Sequence, residues 1–483
     1  MAKSLSQPKQ IFVDRRSLWV VLFDRLRRYI FLALFFGIFS LMLVQKGPSD
    51  LSSEGYKVLC LFVLCVFLWS TNLIPLSITS LLAIAAIPLL NVMEASQAYG
   101  YFGNKAVFFI LGVFILSASM VACGLSTRLS IWVMKNWSNT PSQLIISIYC
   151  FAGISSCFMS EHAVAVILFP IINEIAQSLN LKRENSIFAK GMYFAMAWGC
   201  IIGGAMTVLG GGRVPLAVEM LEKSTSGVET IGILQYTHLS FPLVLTLFGG
   251  AWLTLKFLFP PDIRDIEAAK KALKHKSNVM GKLTFQEKGI GLVMVITLFC
   301  WFVFGDQLGI ANIAIISIVF LFVMNLITWK MVEKHINWAI VLMYGGAICL
   351  GEVMAETGAA LWLAEKLFSG IVESPISFLL VISLLSTLLT TFMSNSAVIA
   401  ILLPTAISMS STYGINPALA TMTVILPSNF AFILPIATPA SALAYSSKFL
   451  TLKEMIWSGS LLSLLGLGGF LILLVFYWPM IGF

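Results

Sequence analysis

Long apolar runs separated by short polar breaks dominate the chain, and their lengths fix its class. Runs at 30–46, 55–72, 76–90 and 105–122 each approach the roughly 20 residues that a helix needs to cross hydrocarbon. The aromatic and basic stretch Leu125 to Asn139 suits a headgroup layer. Residues 142–180 then hold a polar triplet, Ser160-Glu161-His162, in the middle of apolar sequence. Lys135 precedes this stretch and Lys182 and Arg183 follow it, so both ends fall on one side and a re-entrant hairpin is predicted. Its non-helical tip is tolerable only inside protein or against a water-filled cavity. The next run, 188–221, is interrupted at Leu209-Gly-Gly-Gly-Arg-Val-Pro215; three glycines and a proline predict an unwound helix.

A span at 239–259 leads to a polar linker, 260–288, with seven Lys and Arg against four acids. Spans at 289–305 and 310–328 follow, then an apolar run to Glu356 and a surface helix to Ile371. A second hairpin, 375–412, surrounds Ser394-Asn395-Ser396, and a second broken helix, 416–445, is interrupted at Pro435-Ile-Ala-Thr-Pro439. A last span covers 454–478. The pattern predicts an all-α polytopic membrane protein of about 11 transmembrane helices with two re-entrant hairpins. Its halves are 29–259 and 289–483, joined by a cytoplasmic linker at 260–288.

The halves are copies of one unit. FMSEHAVAVILFP (158–170) returns as FMSNSAVIAILLP (392–404), and the same offset of 234 links Pro141 to Pro375, Gly112 to Gly346 and Gly124 to Gly358. Basic residues flank the first hairpin, whereas Glu352, Glu356, Glu365 and Glu373 against one Lys366 flank the second. Loops poor in Lys and Arg lie outside, so the copies point opposite ways. Inverted repeats in an apolar chain predict a transporter with its site at the repeat interface.

Composition narrows the choice. With 59% hydrophobic and 11% charged residues, the chain has too little polar surface for a soluble globule. The net charge of +8 resides mostly in Lys and Arg between the apolar runs, which removes a nucleic-acid reading. Segment 1–28 mixes Phe12, Trp19, Leu22 and Leu26 with Arg15, Arg16, Arg25, Arg27 and Arg28, as a helix on an anionic surface would. It marks a cytoplasmic amino terminus, and a bacterial inner membrane is the expected location. The first apolar run follows a basic segment too long for a signal peptide and is expected to be retained. Eight cysteines stand singly in apolar segments, without metal or disulfide spacing.

Broken helices aim free N–H groups and positive half-helix ends into the membrane centre, where they bind anions. Unwound carbonyls and nearby Ser and Asn oxygens suit a small hard cation such as sodium. This layout resembles the divalent anion:sodium symporter family, the solute carrier 13 relatives within the ion transporter superfamily, over nearly the whole chain. That family has a Ser-Asn-Thr triplet at each hairpin tip and a Thr-Pro break opposite. Ser394-Asn395-Ser396 and PIATPAS (Pro435 to Ser441) fit the pattern, and IPLSIT (Ile74 to Thr79), LGVFILS (Leu111 to Ser117) and Gly203-Gly204 support it. The resemblance implies sodium at Ser394, Asn395 and the backbone of Ala437 and Pro439, and a small anionic substrate at Asn395 and Ser396, with Thr438 and Pro439 alongside. It further implies a homodimer and an elevator movement of a transport domain against a dimeric scaffold.

The first half departs from this pattern. Glu161 and His162 replace Asn and Thr at the tip, and Gly211-Gly212-Arg213 replaces Thr-Pro-Pro at the break. A first sodium site at Ser160 and Gly210 is thereby put in question. The expectation is that Arg213 supplies the positive charge of that sodium, with Glu161 orienting or neutralising it. His162 then donates to the substrate or shares a proton with Glu161. Structural alternatives stand beside each reading: Arg213 as a snorkelling anchor, Glu161 and His162 as a buried structural pair, Ser394 as a plain helix cap, and Thr438-Pro439 as a kink. The expected function is sodium-coupled uptake of a small anion, a di- or tricarboxylate. The alternatives are a proton-coupled carrier or an exchanger for sulfate or bicarbonate. An intramembrane enzyme lacks support, since neither HExxH nor GxSxG occurs.

Overall fold

The computed structural model describes residues 18–71, 73–183, 185–368 and 374–483, and every regular element among them is helical. The chain forms two units, 1–46 and 47–483. The first contains one helix, α1 (Leu18–Val44); residues 1–17 of the predicted amphipathic segment lie outside the described residues. The second contains the duplication.

The first copy runs through α2 (Ser53–Thr71), α3 (Leu76–Leu89), α4 (Ala95–Gly100), α5 (Lys105–Ala122), α6 (Leu125–Trp137), α7 (Pro141–Ser156) and α8 (Glu161–Ser178). Helices α9 (Ile187–Gly203), α10 (Arg213–Ser224), α11 (Ile233–Leu258) and α12 (Glu267–Val279) follow. The second copy comprises α13 (Phe285–Leu308), α14 (Ile310–Val323), α15 (Trp329–Val332), α16 (Trp338–Glu356), α17 (Ala359–Phe368), α18 (Pro375–Phe392) and α19 (Asn395–Thr412). It continues into α20 (Pro417–Ile425), α21 (Pro439–Ser446) and α22 (Leu452–Ile472).

Both ends of α3 and α14, and both ends of α8 and α19, lie 234 residues apart. So do the left-handed residues that end helices, Asn91 with Asn325, Gly124 with Gly358 and Asn180 with Gly414; Asn and Gly are the residues that tolerate this conformation. Thr140-Gln143 and Ser374-Ser377 form matching capping boxes, each followed by a proline at the first helical position, where its missing N–H costs nothing.

Contacts between the copies are reciprocal. A Cβ on Gly112 of α5 would press on Ala314 of α14, and one on Gly346 of α16 would press on Ser80 of α3. Each pair is the other with its copies exchanged, which is the signature of a two-fold relation. The same exchange relates α10 packed on α19 to α21 packed on α8. These pairs set the helix after each break against the hairpin of the other copy.

Among the described residues, nine helices are long and apolar enough to cross a membrane. Three apolar helices, α3, α9 and α14, are shorter, and both arms of the second hairpin are among the nine, so the number of long helices does not map one-to-one onto the expected 11 spans. The linker 260–288 also differs from a plain polar connection. It contains α12, whose Ala269 and Leu273 are buried while Lys271 and Lys274 are exposed, an (i, i+4) apolar stripe on a basic helix. Residues 369–373, including Glu373, lie outside the described residues.

Candidate substrate and ion site

Each hairpin tip is a short non-helical turn followed by a capped helix. Ser160 caps α8 by accepting from the Ala163 N–H at 3.3 Å, and Ser394 caps α19 by accepting from the Ala397 N–H at the same distance. Such a cap satisfies one of the four free donors at a helix start. Glu161 and Asn395 are the first residues of these helices.

The two breaks are the partners of the tips. Between α9 and α10 the chain unwinds over residues 204–212, and its carbonyls need new donors. The hydroxyls of Tyr236 and Ser240 donate to the Ala205 and Met206 carbonyls at 2.9 and 3.1 Å. The Glu161 N–H donates to the Gly210 carbonyl at 3.2 Å, tying tip to break. Side chains are excluded here: a Cβ on Gly210 would meet the Ser156 carbonyl oxygen and Gly204, and one on Gly212 would collide with the Tyr344 hydroxyl. Between α20 and α21 the second break ends at Thr438, which caps α21 through the Ser441 N–H at 3.2 Å.

Tips and breaks enclose one cavity of about 220 Å³. Ser160, Glu161, His162, Arg213, Ser394, Asn395, Ser396, Ala437 and Pro439 all line it, so residues from four distant stretches meet. Gly210 and Thr438 do not reach its wall. Gly210 packs behind the tip, and Thr438 is buried with its hydroxyl turned to Ser441. Helices α8, α10, α19 and α21 all begin at the cavity, and each start contributes roughly half a positive charge.

Arg213 is 3% exposed, and Glu161 13%. Arg213 Nη1 stands 3.5 Å from Glu161 Oε2, while Nε and Nη2 have no protein partner. This burial removes the snorkelling alternative. A guanidinium at the start of its own helix opposes the helix dipole, and burying it costs several kcal/mol, so fold stability alone does not account for it. His162 Nδ1 and Asn395 Nδ2 are likewise buried without a partner. The unpartnered Arg213 N–H groups and the four helix starts together suit an anion.

Sequence reasoning missed Tyr344, Ser117, His335 and Asn337. Ser117, His335 and Asn337 line the cavity, and Tyr344 lies within 3.4 Å of the Ser396 hydroxyl. His335 and Asn337 stand just before α16, and the corresponding positions of the other copy, Tyr101 and Gly103, share neither residue type. The position of Tyr344 against Gly212 has no sequence signal. Gly212→Ala is expected to force the tyrosine out at the cost of overpacking, about 1–3 kcal/mol. A thermal melt of the variant measures this; an unchanged melting temperature removes the close packing of Tyr344 on Gly212.

A family model described as the sodium:sulfate symporter transmembrane region matches residues 25–483. The sodium-dependent dicarboxylate transporter SdcS of Staphylococcus saprophyticus is 26% identical over 470 residues, covering 92% of this chain and 90% of the relative. The protein of the same name from Staphylococcus aureus is 28% identical over 469 residues, covering 92% and 89%. Among solved structures, the Alcanivorax borkumensis YdaH transporter is similar with a TM-score of 0.54 at 16% identity over 80% of this chain and 87% of that one. Neisseria gonorrhoeae MtrF, of a class of antimetabolite efflux pumps, is similar with a TM-score of 0.58 at 14% identity over 86% and 94%. These two likenesses concern the fold alone.

Proposed function

Because this chain belongs to the sodium:sulfate symporter family, and is thus an integral membrane transporter and not an enzyme, we propose that it carries a small dicarboxylate inward together with sodium. The observation that carries this reading is Arg213, almost wholly buried, with two unpartnered nitrogens at the wall of a cavity where four helices begin. A guanidinium edge of two N–H groups matches a carboxylate bidentately. The volume of about 220 Å³ is below the range of drug-sized ligands and suits a compact dianion. One carboxylate meets Arg213 and the His162 donor; the other meets the tip of the second half at Ser396. The names of the staphylococcal relatives favour a dicarboxylate over an inorganic oxyanion.

Sodium belongs at the second tip. Thr390 Oγ1 lies 2.9 Å from Asn395 Oδ1 and 2.6 Å from the Ser428 carbonyl, yet a hydroxyl has one proton to give. Turning the Asn395 amide over resolves the conflict: Thr390 donates to Ser428 and accepts from Nδ2, and Oδ1 faces the cavity. That oxygen, the Ser394 hydroxyl and the carbonyls of Ala437 and Pro439 form a hard oxygen set for the cation. In the first half, Arg213 stands in for a second sodium and Glu161 fixes its orientation from the Nη1 side. Alternating access then follows from the two-fold relation of the copies, with tips and breaks sliding as one body past α3, α5, α14 and α16.

The test is flux into proteoliposomes across a panel of dicarboxylates, tricarboxylates, sulfate and bicarbonate, each with sodium or choline outside. Dicarboxylate uptake that collapses in choline is the expected result; uptake indifferent to sodium but driven by a proton gradient points instead to Glu161 and His162 as proton carriers. Asn395→Ala is expected to raise the sodium concentration for half-maximal uptake about tenfold, the worth of a contact to a charge. A sodium titration of the variant checks it, and an unshifted midpoint removes Asn395 from the ion site.

A further inference from the structure

A second cavity, of about 430 Å³, lies farther along the seam between α5 and α10. Down α5 the order is clear. Phe114 and Ser117 line the site cavity, Phe109 to Phe114 line a void of about 10 Å³, and Lys105, Ala106 and Phe109 line the second cavity. Along α10 the order is Arg213, then Pro215, then Val218 to Glu222. The void between holds one water at most, so an apolar neck seals one cavity from the other.

The duplication relates the two walls. Leu76, Ala339, Ile340 and Met343 line the site cavity, and the residues 234 positions away, Ile310, Lys105, Ala106 and Phe109, line the second. One wall is the copy of the other. Two states of a carrier with inverted repeats exchange the roles of the copies, so the second cavity is the wall that the site faces in the opposite state. The informative position is where the copies differ in charge: Ala339 on the near wall corresponds to Lys105 on the far one. Lys105 Nζ is held 2.5 Å from Glu222 of α10, the helix that begins with Arg213. Glu222 moves with the site, whereas Lys105 stays with the wall.

We infer that Lys105 is an anion-binding residue of the opposite state. It exchanges the Glu222 carboxylate for a carboxylate of the substrate when α10 moves, and it sets affinity at that face of the membrane alone. The inference rests on the carrier reading above.

The experiment uses the full chain and radiolabelled succinate, with KM measured from one face in intact cells and from the other in inside-out vesicles. Lys105→Met is expected to raise KM about tenfold at one face and leave the other within about twofold, with Lys105→Arg restoring it. Glu222→Gln breaks the same ion pair but frees the lysine, so KM at that face is expected to fall. If both variants shift KM in the same direction, or Lys105→Met moves both faces equally or neither, the assignment of Lys105 is overturned and the carrier reading stands. A wild-type chain that moves no succinate at either face, with sodium present, overturns both.

Discussion

Arg213→Ala is expected to abolish dicarboxylate uptake and to lower the melting temperature at the same time, and the two losses have different causes. Uptake falls because a charge-assisted contact to the anion is worth about 1.5–3 kcal/mol, or roughly 10- to 150-fold in affinity. Stability falls because the Glu161 carboxylate, 3.5 Å from Nη1, is stranded; breaking a buried pair from one side costs about 3–5 kcal/mol. Adding Glu161→Ala to Arg213→Ala removes the stranded charge, so the melt recovers while uptake stays lost. Arg213→Lys retains the charge without the planar fork and is expected to keep the fold with weakened substrate binding. Paired melts and uptake rates of the four proteins check this. Recovery of uptake in the double variant would reduce Arg213 to a partner for Glu161 and remove it from the substrate site.

The second large effect is expected at Gly203→Ala, far in chemistry from any charge. A Cβ there would run into the carbonyl oxygen, carbonyl carbon and Cα of Gly153, all backbone of α7, where α9 crosses it. Backbone cannot swing aside as a side chain can, so the cost exceeds the usual 1–3 kcal/mol of overpacking, and the first hairpin separates from the helix leading to the break. Loss of monodisperse protein on size-exclusion chromatography is the expected readout. Gly249→Ala is the control. Nothing lies within 4 Å of the Cβ it would add, and in the middle of α11 alanine is favoured by about 0.5–1 kcal/mol. Equal behaviour of the two variants would remove the close approach of α7 and α9.

The elements were largely legible because each leaves a local mark. The repeated peptide at 158–170 and 392–404 set the register, and Ser160 and Ser394 both announce helix starts that the structure contains. Glycines and prolines at 209–215 and 435–439 announced the breaks. The site was legible where residues depart from the repeat: Glu161, His162 and Arg213 stand out because their counterparts in the other half are neutral. What stayed hidden depends on long-range geometry. Tyr344 reads as one more aromatic in an apolar helix, and only its approach to Gly212 and Ser396 distinguishes it. Local contacts of Thr438 and Gly210 were equally hidden: the motif context suggested ligands, and the fold turns the Thr438 hydroxyl to Ser441 and sets Gly210 behind the tip. Helix α12 was concealed by its lysines, because two buried residues, Ala269 and Leu273, are too few to give an apolar pattern.

The pairing of Glu161 with Arg213 constrains how such a chain can change. Loss of the arginine alone strands an anion in a poorly solvated place, and loss of the glutamate alone leaves a cation unopposed, so each single substitution is worse than replacing both. A lineage holding this pair sits between two barriers, and drift toward a neutral, two-cation arrangement requires paired substitutions in tip and break. The opposite tip, with Ser394, Asn395 and Ser396 all uncharged, strands no charge when one of them is replaced, so its substitutions need not come in pairs.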